Sequence, residues 1–459
     1  MTGYLVRAVR LFGAGDPTDI RIDEAGVISE VGPGLSPGDS QVVAGEGLIA
    51  LPGLVDLHTH LREPGREDAE TVASGSAAAA MGGFTAVHAM ANTDPVADTA
   101  GVVEQVWRLG RRAGRTEVRP VGAVTVSLAG QRLAELAAMA DSIAEVRVFS
   151  DDGHCVWDPL LMRRALEYVK SVDGVVAQHA QEPRLTEGAQ MHEGDLSSVL
   201  GLAGWPAVAE EAIIARDVLL AGHVGSRLHV CHVSTAGSVE ILRWAKSRGI
   251  DVTAEVTPHH LMLTDENVRE YDPVFKVNPP LRTRADVEAV REGLLDGTID
   301  IVATDHAPHP IESKDCEWAA ASMGMTGLET ALSVVQHTMV DTGLLDWASV
   351  ARVLSTTPAE IGRMAGYSAP LRVGSPGHLV LVDAAAGRTV DPSRHATMGR
   401  NSPYRGMELP GRVVATFLYG HPTVLDGALA EPLDEAEMGR RIARATVPGT
   451  ATPKPEVSR

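Results

Sequence analysis

His58, His60, Asp152, His179, His232 and Asp305 are residues of the kinds that bind divalent metal ions, strung along a chain of 459 residues. Zinc accepts imidazole nitrogen and carboxylate oxygen, and a catalytic zinc site keeps one position open for water. The first two stand in Gly-Leu-Val-Asp-Leu-His-Thr-His, an apolar run of strand propensity. Residues two apart on a strand project to the same side, so His58 and His60 point together near its C-terminal end. A lone His-x-His pair is also compatible with two ordinary core or surface histidines. Four further candidates, each at the end of an apolar run, turn the balance towards a metal centre. Two zinc ions about 3.5–4 Å apart can share a hydroxide and lower its pKa. One ion would take His58, His60 and Asp305, and the other His179 and His232. A bridging carboxylate is still required, and Phe-Ser-Asp-Asp-Gly at 149–153 offers Asp151 or Asp152. The aspartate that does not bridge is expected to cap or turn the following loop. Asp305 lies beside the water, where it can ligate and also shuttle a proton to the leaving group.

The ligands need a scaffold that brings them together. Strand-like runs near 54–60, 84–90, 117–123, 145–151, 174–180, 227–233, 251–256 and 299–305 alternate with Ala-rich helical stretches. Val-Glu-Gln-Val-Trp-Arg-Leu and Leu-Met-Arg-Arg-Ala-Leu-Glu-Tyr-Val carry the apolar repeat of covering helices. Eight βα units predict an α/β fold, a TIM-type (β/α)8 barrel over 54–365. All six candidates then fall at the C-terminal ends of the first, fourth, fifth, sixth and eighth strands, the face where barrel enzymes build their sites. Residues 1–53 read instead as short β-prone pieces, punctuated by Gly and Pro roughly every 8 to 12 residues. The same texture returns over 366–445, which predicts a small β-sandwich formed from both termini. The Pro- and Thr-rich stretch 446–459 is expected to be a loose tail.

Composition narrows the function classes. Net charge is −20 and the pI is near 5.3, which argues against nucleic acid or an anionic membrane as partner. An anionic ligand would need local positive charge, from metal and Arg, against that field. No apolar run approaches the roughly 20 residues that span a bilayer, and the N-terminus lacks a secretory signature, so a cytoplasmic location is expected. Three cysteines, Cys155, Cys231 and Cys316, without a CxxC pair, fit a reducing compartment. Cys231 directly precedes His232 and should face the other way, outward with His229, as a packing residue.

Beyond the ligands, His-Thr-His-Leu-Arg-Glu-Pro-Gly at 58–65, Asn92, Phe-Ser-Asp-Asp-Gly, His232-Val-Ser-Thr, Thr-Pro-His-His-Leu at 257–261, Lys276-Val-Asn-Pro-Pro-Leu-Arg and Ala-Thr-Asp-His-Ala-Pro-His at 303–309 form a set. Together they closely resemble the class I dihydroorotases of the amidohydrolase superfamily, from about residue 50 to Gly-Arg-Asn-Ser-Pro-Tyr-Arg-Gly at 399–406. The resemblance implies reversible closure of N-carbamoyl-L-aspartate to L-dihydroorotate in pyrimidine biosynthesis, with two Zn2+ per subunit and Asp305 as general acid and base. It selects Asp152 as the bridge by its spacing from His179. It gives Arg62 and Asn92 the substrate α-carboxylate, Asn278 a ring contact, and His309 a second carboxylate or amide contact. The stretch 321–328, Ala-Ser-Met-Gly-Met-Thr-Gly-Leu, departs from the Pro-Phe-Gly type expected there, and backbone groups near Met323 and Gly324 would have to make the ring contacts. A homodimer is common in such proteins, and a complex with aspartate transcarbamoylase is a further expectation.

Two alternatives compete. Hydantoinases and allantoinases share His-x-His and the terminal Asp but bridge their metals with a carboxylated lysine, where this chain has Arg147. A guanidinium cannot form that bridge. A non-catalytic scaffold for a pathway partner would be expected to lose ligands, and here all six are kept. His259 and His260 are expected to make structural hydrogen bonds, and His306 to point away from Asp305.

Overall fold

In the computed structural model, residues 3–445 are described, and the expected tail at 446–459 lies outside them. Eight parallel strands lie where the apolar runs predict them: β1 Leu54–Thr59, β2 Phe84–Ala89, β3 Glu117–Pro120, β4 Val148–Phe149, β5 Val175–Gln178, β6 Leu228–Val230, β7 Val252–Val256 and β8 Ile301–Val302. They pair in order from β1 to β3 and from β4 to β8. A parallel bridge between Gly122 and Phe149 joins the two groups, and one between Thr59 and His306 closes the ring. Helices Val72–Met81, Ala100–Ala113, Pro159–Ser171, Val208–Val224, Ala236–Ser247 and Arg284–Asp296 occupy the crossovers. Several start at a side-chain cap: Thr71, Asp158, Thr235 and Thr283 accept from the backbone N–H of Ser74, Leu161, Ser238 and Asp286.

Both faces of the barrel strands are buried, which is why they read as continuous apolar runs. Outward residues such as Val87, Val176 and Val230 pack with Val103, Met162, Ile214 and Leu242 of the helices. Inward residues, Leu57, Met90, Val121, Val148, Ala177, Cys231 and Ile301, fill the barrel. The observed strands are shorter than the apolar runs because each run continues past the ladder into the loop that carries the site.

Met191–His192 and Gly204–Trp205 form a small parallel pair, and the other nine strands form one continuous sheet drawn from both ends of the chain. Tyr4–Leu11 pairs with Gln41–Ala44 along its first half and with Ile49–Pro52 at its end, and on its other edge with Thr18–Ile22 from Tyr4 to Val9. Between the halves the register shifts, and Ala8 takes a φ of 56°. Such a bulge bends the strand and folds the sheet into two leaves. Leu379–Thr389 continues the second leaf antiparallel to Ile49–Pro52, followed by Glu408–Leu418 and His421–Leu425. Ile20, Ile22 and Ile28 of one leaf meet Leu379, Leu381, Ala415 and Phe417 of the other.

Candidate metal centre

β1 delivers His58 inside the strand and His60 just beyond it, and both side chains are buried. Asp152 follows β4, His179 follows β5, His232 follows β6 and Asp305 follows β8. The turn out of the ladder is abrupt at two of these: His232 has φ 33° and Asp305 φ 46°. Left-handed backbone at a residue with a β-carbon is uncommon, and such strain concentrates at functional sites.

Four histidines converge on Asp152, and Asp305 joins them at His58 and His60. Asp152 Oδ1 lies 3.3 Å from His58 Nε2, 3.4 Å from His179 Nδ1 and 3.4 Å from His232 Nε2, while Oδ2 lies 3.4 Å from His60 Nε2. Asp305 Oδ1 is 3.0 Å from His60 Nε2 and 3.5 Å from His58 Nε2. Asp152 thus belongs to two donor groups, one with His58 and His60 and one with His179 and His232. Ligands bound at 2.0–2.1 Å around one tetrahedral ion sit roughly 3.3–3.4 Å apart, and these donor separations cluster around that edge length. His58 Nε2 and Asp152 Oδ1 are also buried without a hydrogen-bond partner among the described residues. A buried polar atom left so is costly, and a cation between them would satisfy both. The donor set therefore fits divalent metal. Burial alone would raise the Asp152 carboxyl, but His58, His179 and His232 around it hold it well below the usual carboxylate range. Burial is likewise outweighed at Asp305, where His58 and His60 bring the carboxyl down to about 2.

The far side of each ring is held as well. His58 Nδ1 lies 2.6 Å from Glu255 Oε1, on β7. His60 Nδ1 lies 2.9 Å from Asn92 Oδ1, and His179 Nε2 lies 2.7 Å from Gln181 Oε1. Such partners fix the tautomer and aim the other nitrogen at the metal. Glu255 and Gln181 were not singled out from the sequence. A charged residue inside the apolar run Val-Thr-Ala-Glu-Val was the available signal for the first, and a position two past His179 for the second.

Asp151 does not join the centre. Its Oδ1 accepts from Val124 N (2.8 Å) and Thr125 N (2.9 Å), and its Oδ2 from the Thr125 hydroxyl. His229 and Cys231 do share a face, as expected, but it is the barrel interior and not the outside. Leu228 and Val230 take the helix side, and His229 Nε2 lies 3.0 Å from Glu255 Oε2. In a barrel covered all round by helices both faces are buried, so the polar face is the inner one near the site. His260 bonds the Thr257 hydroxyl (2.7 Å), within a short helix that Thr257 caps. His306 reaches Glu70. Arg147 bonds the carbonyls of Ala140 and Val146, so no bridging group enters from that position.

Over the cluster lies a cavity of about 300 Å3 lined by His60, Arg62, Asn92, Asp152, Gly153, His179, Asn278, Asp305, Ala307, His309, Met323 and Gly324. Arg62, at φ 61°, donates through Nε to Pro308 O (3.2 Å). Burial lowers its guanidinium to about 10, which leaves it charged near neutrality. Asn278 donates through Nδ2 to Gln181 Oε1 (3.1 Å), and its Oδ1 is buried without a partner among the described residues. His309 Nε2 lies 2.8 Å from Met323 O. Gly324 sits at φ 141°, where a Cβ would come within 2.8 Å of both Ala307 Cβ and His309 Nε2. A larger hollow of about 420 Å3 lies beyond His309, but it contains none of the six candidate ligands. His60, Asp152, His179 and Asp305 line the smaller one.

A family profile described as "Dihydro-orotase-like" matches residues 47–238. The chain is 67% identical to the dihydroorotase of Streptomyces coelicolor, over 94% of this chain and 100% of that protein. It is 54% identical to the dihydroorotase of Mycobacterium tuberculosis, over 93% and 99% respectively. In fold it resembles the L-hydantoinase of Arthrobacter aurescens, at a TM-score of 0.83, 24% identity and coverage of 94% and 98%. It also resembles the dihydropyrimidinase of Brevibacillus agri, at a TM-score of 0.81, 20% identity and coverage of 95% and 97%. With this barrel, this donor cluster and relatives of that identity along nearly its whole length, the chain belongs to the dihydroorotase family of metal-dependent cyclic amidohydrolases.

Proposed function

We propose that this cavity closes N-carbamoyl-L-aspartate to L-dihydroorotate, reversibly, and that His58, His60, Asp152, His179, His232 and Asp305 would hold two Zn2+ ions, Asp152 being common to both donor groups. The observation that carries the reading is Asp152 within 3.3–3.4 Å of four histidine nitrogens, beneath a cavity walled by Arg62, Asn92, Asn278 and His309. When bound, the ions supply Lewis acidity and make water a stronger acid. Asp305 presents Oδ1 to His58 and His60, which leaves Oδ2 to carry the proton. In ring opening it takes a proton as water adds to the ring carbonyl, then gives it to the ring nitrogen as the C–N bond breaks. In ring closure the same oxygen takes the proton from the ureido nitrogen and returns it to departing water. Arg62 offers a planar fork suited to the α-carboxylate, beside the Nδ2 of Asn92. Asn278 Oδ1 accepts an N–H of the ring, and His309 with the backbone of Met323 and Gly324 closes the other wall.

The division into a barrel (54–365) and a companion unit (1–53 with 366–445) is part of this reading, supported by the sheet that joins both ends of the chain. So are a homodimer and a complex with aspartate transcarbamoylase, which light scattering of the enzyme alone and with that partner would test. A cytoplasmic location is supported by three free cysteines, and no helix of the described residues is long and apolar enough to cross a membrane.

The direct test is turnover of L-dihydroorotate by metal-quantified protein, with hydantoin and allantoin as controls. Loss of ring absorbance with dihydroorotate alone, abolished by chelation and restored by zinc, is the expected result. Turnover of hydantoin in its place would move the assignment to the cyclic amidases that the fold also resembles.

A further inference from the structure

Two buried lysines stand on the segments that wall the cavity, with no role in the proton chemistry. Lys276 and Lys314 are 3% and 8% exposed. An ammonium taken out of water ordinarily rests against a carboxylate. Among the described residues, every hydrogen bond these two make ends on a backbone carbonyl. Lys276 Nζ donates to Trp318 O (2.7 Å) and Ala319 O (3.1 Å), and lies 5.9 Å from the centre of the Trp318 ring. Lys314 Nζ donates to Pro273 O (2.9 Å) and Lys276 O (3.0 Å). Burial, with Lys276 nearby, pushes the Lys314 ammonium down to about 7, so the fold keeps it there against its own solvation.

The two sets of bonds run in opposite directions between the same pair of segments, 273–278 and 309–324. Each segment reaches the cavity at its end: Asn278 on the first, His309, Met323 and Gly324 on the second. Gly324 N donates to the Lys276 carbonyl as well (2.9 Å). Apart from one 3-10 turn at Ile311–Ser313, the second segment has no regular structure, and Ile311 is 61% exposed on its outside. With no ladder to hold it, its position depends on side-chain ties and on Trp318, packed with Met191, Leu196 and Val268.

We infer that Lys276 and Lys314 form a reciprocal latch that fastens the loop after β8 to the segment after β7 and so sets the width of the substrate cavity between His309 and Asn278. They are positioning residues, and their role as such rests on the reading of this cavity as the dihydroorotate site. Hydrogen bonds from an ammonium to carbonyls are stronger than neutral ones, and removing either side-chain amine deletes its two ties between the segments. The wall should then loosen while the metal ligands, all of which lie outside both segments, stay in place.

The test uses the metal-loaded full chain as Lys276→Met, Lys314→Met and the double variant. Exposed Lys170, which bonds Val224 O on the barrel's outside, is changed to Met as a control. Hydrogen exchange of the amides over 309–324 and 54–60, metal content, and KM and kcat with L-dihydroorotate are measured together. The latch predicts faster exchange over 309–324 only, unchanged metal content, and a KM raised about tenfold or more with a smaller change in kcat. Both ties join the same segments, so the double variant should raise KM by less than the product of the single effects. Unchanged exchange and KM in the single variants would overturn it, and so would metal loss in step with activity. If Lys276→Met does not fold, Lys314→Met, nearer the surface, carries the same test. Looser exchange in a protein that never turns over dihydroorotate would keep the latch and sink the substrate.

Discussion

Two adjacent aspartates with the same side chain meet opposite fates here, which makes them a sharp test of the centre. Asp152 points into four histidines, whereas Asp151 ties down Val124 and Thr125. Asp152→Ala should lose metal, with the His179 and His232 side emptied first, at little cost to folding in the presence of chelator. Asp151→Ala should retain the metal and instead destabilise the fold by about 1–3 kcal/mol, because two buried N–H groups and a hydroxyl lose their acceptor. Metal analysis beside thermal unfolding separates the two, and a two-zinc stoichiometry surviving in Asp152→Ala would reverse the assignment. Asp305 makes a different prediction. Its removal leaves His58, His60 and Asp152 as donors, so Asp305→Ala should keep substantial metal yet turn over dihydroorotate at least ~100-fold more slowly. Near-normal activity in that variant would remove it from the proton path.

At the scale of elements, the loop after β8 is the piece whose geometry is least forgiving. Gly324 occupies φ 141° with Ala307 and His309 each 2.8 Å from where a Cβ would stand. Gly324→Ala should therefore displace His309 and lower kcat/KM by about 10- to 100-fold with metal content unchanged. Wild-type kinetics in that variant would mean that the wall does not touch the substrate. This same loop marks the boundary of what the sequence discloses. The barrel strands were legible because both of their faces are buried, which writes each of them as an unbroken apolar run. The ligands were legible because they end those runs. Glu255 was hidden inside one of them, and only its contact with His58, 197 positions away in sequence, reveals its use. Gln181 stands two past His179, whose ring it holds, but its second tie is to Asn278, on a segment 97 positions on. The inward face of His229 and Cys231 depends on which side of β6 meets the helices, and a strand buried on both sides carries no alternation to tell. Nor could the folding of the terminal sheet into two leaves be read, because it turns on a single bulge at Ala8.

For the whole molecule the question is whether the two-leaved sheet and the barrel stand or fall together. Their cores are not separate. Ile49, Leu51, Val380 and Val382 of the sheet pack in the same cluster as Leu54, Phe84 and Val87 of the barrel. Val55 and Ala86 pack with Leu418, Tyr419, Leu433 and Met438 on the other side. Thr416 Oγ1 donates to Ala80 O (2.8 Å), and Gly53 N to His378 O (3.1 Å). Since the sheet takes strands from both ends of the chain, pairing them with the barrel unfolded would cost the closure of a long loop. Unfolding should then be a single transition, and metal bound only by the folded barrel should stabilise all of it. At a free zinc concentration 100 times the dissociation constant that linkage is about 2.7 kcal/mol, a shift of several degrees for a large domain. Calorimetry with zinc and with chelator should show one peak that moves as a unit, and in Asp152→Ala it should move little. Two peaks, of which zinc shifts only one, would mean that the shared cores do not couple the units.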